Sequence, residues 1–398
     1  MAQVMRALEE AEARGWHEVD TTICSRCVSE PALVELVRHN GGSEPCDYCE
    51  NEPEAPYATA PFDLVLEAVV DGIKLEYERP VDVMGWSSAE GGWLGARTFD
   101  TYDLLWELEI TEQENVHDEL LSAIVESEWC EYDPYAVRPH EALTDGWGNF
   151  REYVKHQRRY TFLIAEEDRT LGAGELQIDR VPFAVSDAVE AANRLLTLPV
   201  GSEWWRGRPH AKSSDCWSSA HDLAAPPEKF AKDNRMSAKG VSAFYGASTR
   251  AGARAEIAGY TSEAADIGLF RTTVELAVVD LRHPPEIPSL FSPERYRRAA
   301  TRFLHSFVAD ISKTADPSDE QVLDYIPTQI IVEFFRHLLS VGERSVAGVL
   351  WRSSKDPSVD CCVLFVPNEA TADEAMVDAS SQLVMVDASI VHEAALPD

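Results

Sequence analysis

Apolar residues recur every three or four positions over several long stretches of this chain and alternate over only a few short ones. The first pattern predicts helices over Phe62–Tyr77, His117–Ser127, Trp147–Phe162, Ser186–Leu196 and Glu294–Lys313. A further helix is predicted over Tyr325–Ser340, entered through Pro327 near its first turn. Residues 1 to about 20 read as another, with Val4, Leu8 and Ala11 on one face. Alternation predicts a short strand carrying Val241, Ala243, Tyr245 and Ala247, and a longer one over Leu269–Leu281. Val346–Trp351 and Cys361–Val366 are apolar runs of buried-strand length, which makes Cys361 and Cys362 core residues. Strands interspersed with helices give an α+β or mixed fold. The stretch ENEPEAPYATAP (Glu50–Pro61) reads as a linker and Pro284–Pro293 as a proline-rich excursion. Three segments follow: 1–55, a mainly helical 56–185, and a mixed 186–398.

Composition narrows the class. At 398 residues, with 45% apolar residues and ten tryptophans, the chain is globular and large enough for more than one core. The charged, amphipathic start is unlike a signal peptide, and no apolar run reaches bilayer length, so a cytoplasmic, non-membrane protein is expected. A formal charge of −34 argues against nucleic acid as a general partner, because a phosphate backbone wants a basic surface. Any anion site must then be a local cluster of arginines.

Four of the eight cysteines form two C-x-x-C knuckles, Cys24/Cys27 and Cys46/Cys49. Number and spacing suit a tetrahedral structural zinc with every position filled by protein, so residues 1–55 are expected to be a helix and a zinc ribbon. Acidic neighbours such as Glu30 and Glu44 argue against DNA binding by that ribbon. Cys130, Cys216, Cys361 and Cys362 are scattered.

The chemistry-bearing stretch is Asn234–Tyr260, NRMSAKGVSAFYGASTRAGARAEIAGY. It reads as a turn, a strand and a helix. Arg235 precedes the Ser237–Gly240 turn, Tyr245 sits on the strand, and Ser248 or Thr249 caps the helix. On that helix Glu256 shares a face with Gly252, Ala253 and Tyr260, so its carboxylate is aimed at a small, largely apolar surface. An inward glutamate needs a partner or a job.

Arg235, Tyr245 and Glu256 at this spacing resemble the RES domain, the toxin half of many bacterial toxin–antitoxin pairs. The resemblance extends back to WWRGRPH (Trp204–His210) and APPEKF (Ala225–Phe230). It runs forward through YIPTQII (Tyr325–Ile331) to VLWRSS (Val349–Ser354), where the family serine falls on Ser353 or Ser354. The CxxC pairs and the Trp147–Phe162 stretch resemble the domain found before RES and HEPN domains. The resemblance implies an ADP-ribosyltransferase-like mixed β core with helices over 186–398. It implies a bacterial enzyme that takes NAD+ as substrate and cleaves the nicotinamide–ribose bond, by hydrolysis or phosphorolysis, to arrest growth. Catalytic residues Glu256, Arg235 and Tyr245 are implied, with Arg206, Arg208 and Ser353 binding NAD+. A cognate antitoxin protein and a homo-oligomer are the implied partners. Where the family has G-R-F/W-N at the second arginine, this chain has N-R-M-S.

The residue types suit that reaction. A carboxylate stabilises an oxocarbenium-like ribose or holds its 2′-hydroxyl. Arginine forks suit a pyrophosphate, an aromatic ring stacks on nicotinamide, and a hydroxyl bonds ribose or carboxamide. Three other functions stay open: transfer of ADP-ribose to a macromolecule, RNA cleavage of the HEPN type by Arg151 and His156, which form R-x4-H, and a non-enzymatic zinc-ribbon adaptor whose RES-like half is degenerate. Each residue also has a structural reading. Arg235 pairs with Asp233, Tyr245 fills the core, Glu256 pairs with Arg250 or Arg254, Ser353 ends a strand, and the Arg151 face contacts acids.

Overall fold

A computed structural model describes residues 2–49, 58–132, 134–210, 216–258, 264–312, 321–387 and 389–393. Most of the expected linker, the residue Tyr260 and the end of the Glu294–Lys313 helix lie outside the described residues. The chain forms two compact units, one of residues 1–138, 172–174 and 287–298, the other of 139–171, 175–286 and 299–398. Among the described residues no helix is long and apolar enough to cross a membrane.

The first unit is mainly helical. Its central helix, Phe62–Glu76, has a stripe spaced by three and four (Phe62, Val65, Leu66, Val69, Ile73) that is wholly buried. Helices Pro31–His39, Thr101–Glu107 and Glu114–Ala123 contribute to the same core. The expected proline-rich excursion has a structural task here. Phe291 packs so closely on Gly72 that a Cβ there would lie 2.6 Å from its ring. Arg298 and Arg295 then pair with Glu76 at 2.7 Å and Asp71 at 3.1 Å on the same helix.

The second unit is built on a mixed sheet, as its interspersed pattern requires. Its strands are β1 (Leu195–Leu198), β2 (Glu203–His210), β3 (Phe244–Ala247), β4 (Ala264–Thr272), β5 (Leu276–Leu281), β6 (Gly348–Arg352), β7 (Asp360–Leu364), β8 (Thr371–Asp373), β9 (Leu383–Met385) and β10 (Val391–Glu393). Their order is β8-β9-β4-β2-β3-β7-β6-β5-β1, with β10 also on β4. Only β5·β6 and β8·β9 are parallel. The β5-to-β6 crossover holds two helices, as a parallel connection needs. The single strand expected over Leu269–Leu281 is in fact β4 and β5, five places apart in the sheet. Four residue steps reach at most about 14 Å, whereas five spacings in a flat sheet would span about 24 Å. The sheet must therefore curl.

Helices α1 (Pro139–His156), α2 (Val181–Ala191), α3 (Arg250–Ala258), α4 (Arg298–Ile311) and α5 (Gln321–Leu338) accompany this sheet. Trp147, Phe150, Val185, Phe303, Phe307 and Phe335 join Val349, Cys361 and Val363 in one core on one face. Phe244, Phe270, Leu350, Cys362 and Leu364 form a separate core on the other. Helix α5 starts four residues before Tyr325, so Pro327 is an interior residue and not a first-turn one.

Candidate functional site

Glu256 is placed by a strand-to-helix joint that the local sequence specifies. Ser248 extends the β3–β7 ladder, donating its N–H to the Asp360 carbonyl at 2.8 Å. Thr249 is the helix cap, its Oγ1 accepting from the Gly252 N–H at 3.0 Å. Gly252 then passes tightly over Val359, whose Cγ1 would lie 2.4 Å from an added Cβ. On the flank, Gly207 of β2 leaves room for Ile257. This close seating brings the second turn of α3 against the end of β6.

There the Ser353 hydroxyl donates to Glu256 Oε1 at 2.6 Å. Ser353 is buried at the mouth of the β6–β7 connection, its N–H bonded to the Val359 carbonyl at 2.9 Å and its Oγ accepting from the Lys355 N–H at 3.2 Å. Ser354 is exposed. Lys355 Nζ bonds the last carbonyls of α3, Ala255 at 2.6 Å and Glu256 at 3.2 Å.

The expectation for Cys361 as a core residue holds, since it is 2% exposed. Its Sγ also lies 3.9 Å from Glu256 Oε1, a proximity the sequence reading missed. The available signal was register: Cys361 faces both Trp351 and Ala247 across its two ladders. Burial first, then the Glu256 charge, pushes the Cys361 thiol up to about 12, with the Arg235 charge pulling the other way. Cys361 therefore stays a neutral thiol.

Arg235 lies within a tight turn of its own, closed by the Asn234 N–H on the Ser237 carbonyl at 2.9 Å, and ahead of a second turn in which the Val241 N–H bonds the Ala238 carbonyl at 2.9 Å. Gln329 of α5 fixes this turn through the Asn234 carbonyl at 2.8 Å. Arg235 Nη1 donates to the Ile311 carbonyl at the end of α4 at 2.6 Å. Asp233 accepts instead from the Lys239 N–H at 2.9 Å. The Tyr245 hydroxyl ties the same turn to β3, 2.9 Å from Ser237 Oγ and accepting from the Met236 N–H at 3.3 Å. The Tyr245 ring meets Trp351 edge-on at 6.3 Å. Met236 and Ser237 also line a cleft of about 510 Å³ with Arg159, Phe162, Phe334 and Phe365.

The register of β2 does not bring Arg206 and Arg208 to this group. Side chains alternate across a strand, and Gly207 faces α3. Arg206 and Arg208 therefore point to the opposite face, away from Glu256. Arg206 donates to the carbonyls of Leu223 at 2.6 Å and Tyr245 at 2.9 Å and lies over the Phe244 ring. Burial, then the Arg208 charge, lowers its guanidinium to about 10, which leaves it cationic at neutral pH. Arg208 bonds the Asp222 carbonyl and stacks over Trp217 at 4.2 Å.

On α1, Arg151 is ion-paired to Asp310 at 2.8 Å and Lys155 to Asp324 at 3.0 Å. His156 is largely exposed, 3.7 Å from Glu152. The arginine of the R-x4-H pattern is thus engaged by an acid, as its structural reading expects.

The knuckle cysteines converge. Cys24 Sγ lies 3.5 Å from Cys27 and 3.7 Å from Cys49, and Cys27 lies 3.7 Å from Cys46. A tetrahedral zinc with bonds of about 2.3 Å holds its sulfurs about 3.8 Å apart, so the four thiols fit such an ion. Burial raises the Cys27 and Cys46 thiols, so ionising them calls for a cation.

Residues 203–386 match the RES domain. The chain carries a RES domain. Residues 39–168 match HEPN/RES N-terminal domain 1. Comparison with curated proteins gives no significant match. A RES domain implies NAD+ as substrate and, at a coarse level, an NAD-acting toxin family. The RES match begins at the first residue of β2 and ends one residue past β9, so it contains Glu256, Ser353, Arg235 and Tyr245.

Proposed function

We propose that this RES protein breaks the nicotinamide–ribose bond of NAD+, with water or phosphate accepting the ADP-ribose, and acts as a growth-arresting toxin. The observation that carries this reading is the 2.6 Å hydrogen bond from Ser353 to Glu256. It joins Glu256 and Ser353, two residues the resemblance singles out, from distant parts of the chain. Glu256 stabilises the cationic ribose or holds its 2′-hydroxyl. Ser353 orients that carboxylate and offers its oxygen to ribose or carboxamide. Tyr245 supplies the ring against nicotinamide. Arg235 is the pyrophosphate ligand, carried on the turn that the Tyr245 hydroxyl ties to β3. Arg206 and Arg208, bonded to backbone carbonyls on the other face, tie β2 to the short helix Ala220–Leu223 and to β3. The four cysteines hold a structural zinc that closes the ribbon. The domain bounds 1–55, 56–185 and 186–398 remain part of the proposal, as do the cytoplasm as the site of action and a cognate antitoxin protein as partner.

The test is to incubate the purified chain with NAD+, with and without phosphate, and identify the products. Free nicotinamide with ADP-ribose supports hydrolysis, and an ADP-ribose phosphate supports phosphorolysis. Label transferred to protein with no free ADP-ribose would replace this reading with the transferase one. Intact NAD+ under both conditions rejects it.

A further inference from the structure

A second cluster of metal-ligating side chains lies on the face of the sheet that carries Arg208. Its centre is Asp266 of β4, which has no solvent exposure. A carboxylate buried that completely needs compensating cations or donors. The residue across β2 from it in register is Arg208, yet that guanidinium is bonded to Asp222 and stacked on Trp217. The groups that do reach Asp266 are metal-ligand types. Oδ2 accepts from the Trp217 N–H at 2.6 Å and lies 3.3 Å from His210 Nε2. Oδ1 lies 2.5 Å from His392 Nδ1. Cys216, adjacent to Trp217, places its Sγ with His210 and Asp266 so that all three ligand atoms fall within 4.8 Å of one another.

We infer that His210, Cys216 and Asp266 form a divalent metal site of the zinc class. The donor set is one imidazole nitrogen, one thiolate sulfur and one carboxylate oxygen, a mixture that suits zinc and neither calcium nor magnesium. The fourth position belongs to water, since Cys216 is exposed. His392 acts from behind, bonding the carboxylate oxygen that does not ligate and so orienting the other. The ion neutralises Asp266 and ties together the end of β2, Cys216 and β4, with His392 of β10 opposite Asp266 in register. This site shares no ligand with the four-cysteine cluster and does not rest on the proposed reaction.

The experiment compares zinc per chain, by elemental analysis of the full chain purified from zinc-supplemented medium, between the wild type and Cys216→Ser. Cys216 is exposed, so the serine keeps the fold. A loss of one zinc per chain supports the site, and His210→Ala must then show the same loss. Equal zinc in wild type and Cys216→Ser overturns it, whatever Cys46→Ser shows for the other cluster. A loss in Cys216→Ser that His210→Ala does not reproduce also overturns it.

Discussion

Ser353 and Glu256, 97 residues apart in the chain, are joined by a hydrogen bond of 2.6 Å from hydroxyl to carboxylate. One stands at the end of β6 and the other on the second turn of α3. The bond forms because Gly252 and Gly207 let α3 sit close to the sheet. The carboxylate is thereby held at a fixed place, with the Cys361 Sγ 3.9 Å away.

Replacing Glu256 by Gln removes the charge and keeps the shape. Nicotinamide release should fall about 10²-fold or more, the scale for losing a preorganised electrostatic group, while the melting temperature changes little. Undiminished release from a folded variant would remove Glu256 from the reaction.

Ser353→Ala deletes the hydroxyl that orients the carboxylate. A loss of about 1–2 kcal/mol of stability is expected from a bond to a charged acceptor, together with a fall in kcat. Ser354→Ala, at an exposed position, should leave both unchanged. Denaturant titration and initial rates measured on the pair decide which serine matters.

Gly252→Ala puts a methyl group 2.4 Å from Val359 Cγ1. Overpacking there should cost about 1–3 kcal/mol, which exceeds the gain in helix propensity of about 1 kcal/mol. Activity should drop as well, because α3 must move and carry Glu256 with it. A more stable, fully active Gly252→Ala protein would show that close seating of α3 is dispensable.

Cys361 gives an alkaline signature. Its thiol is raised from 9.0 to about 12 in the folded chain, so the folded state holds the proton more tightly than the unfolded one. Its contribution is full below pH 9 and is lost as pH rises from about 9 to about 12. Stability of the wild type should decline more steeply over that window than stability of Cys361→Ala. Parallel denaturant midpoints across pH would contradict the assigned shift.

Removing metal tests the knuckles. Cys46→Ser should lower bound zinc and loosen residues 21–49, read as faster amide exchange in Thr22–Cys24, whose strand pairs with Thr59–Pro61. Unchanged zinc content and exchange would leave the four thiols as plain core.

The sequence by itself determined the parts. Periodicity located the helices, the C-x-x-C spacing grouped four thiols that do converge, and the order Arg235, Tyr245, Glu256, Ser353 marked the RES stretch. Apart from Ser353, these are local signals, carried by residues near one another in the chain. The tertiary structure alone decided which parts meet. Pairing of β2 with β4 and β3 turned Arg206 and Arg208 away from Glu256, although all three stood in one motif series. The sheet order split Leu269–Leu281 into two strands five places apart, and seating of α3 brought Glu256 to Ser353. The reason is physical. A strand sends alternate side chains to opposite faces, and which face a given residue takes is fixed by partners far away in the chain, as Phe244 is paired with Leu364.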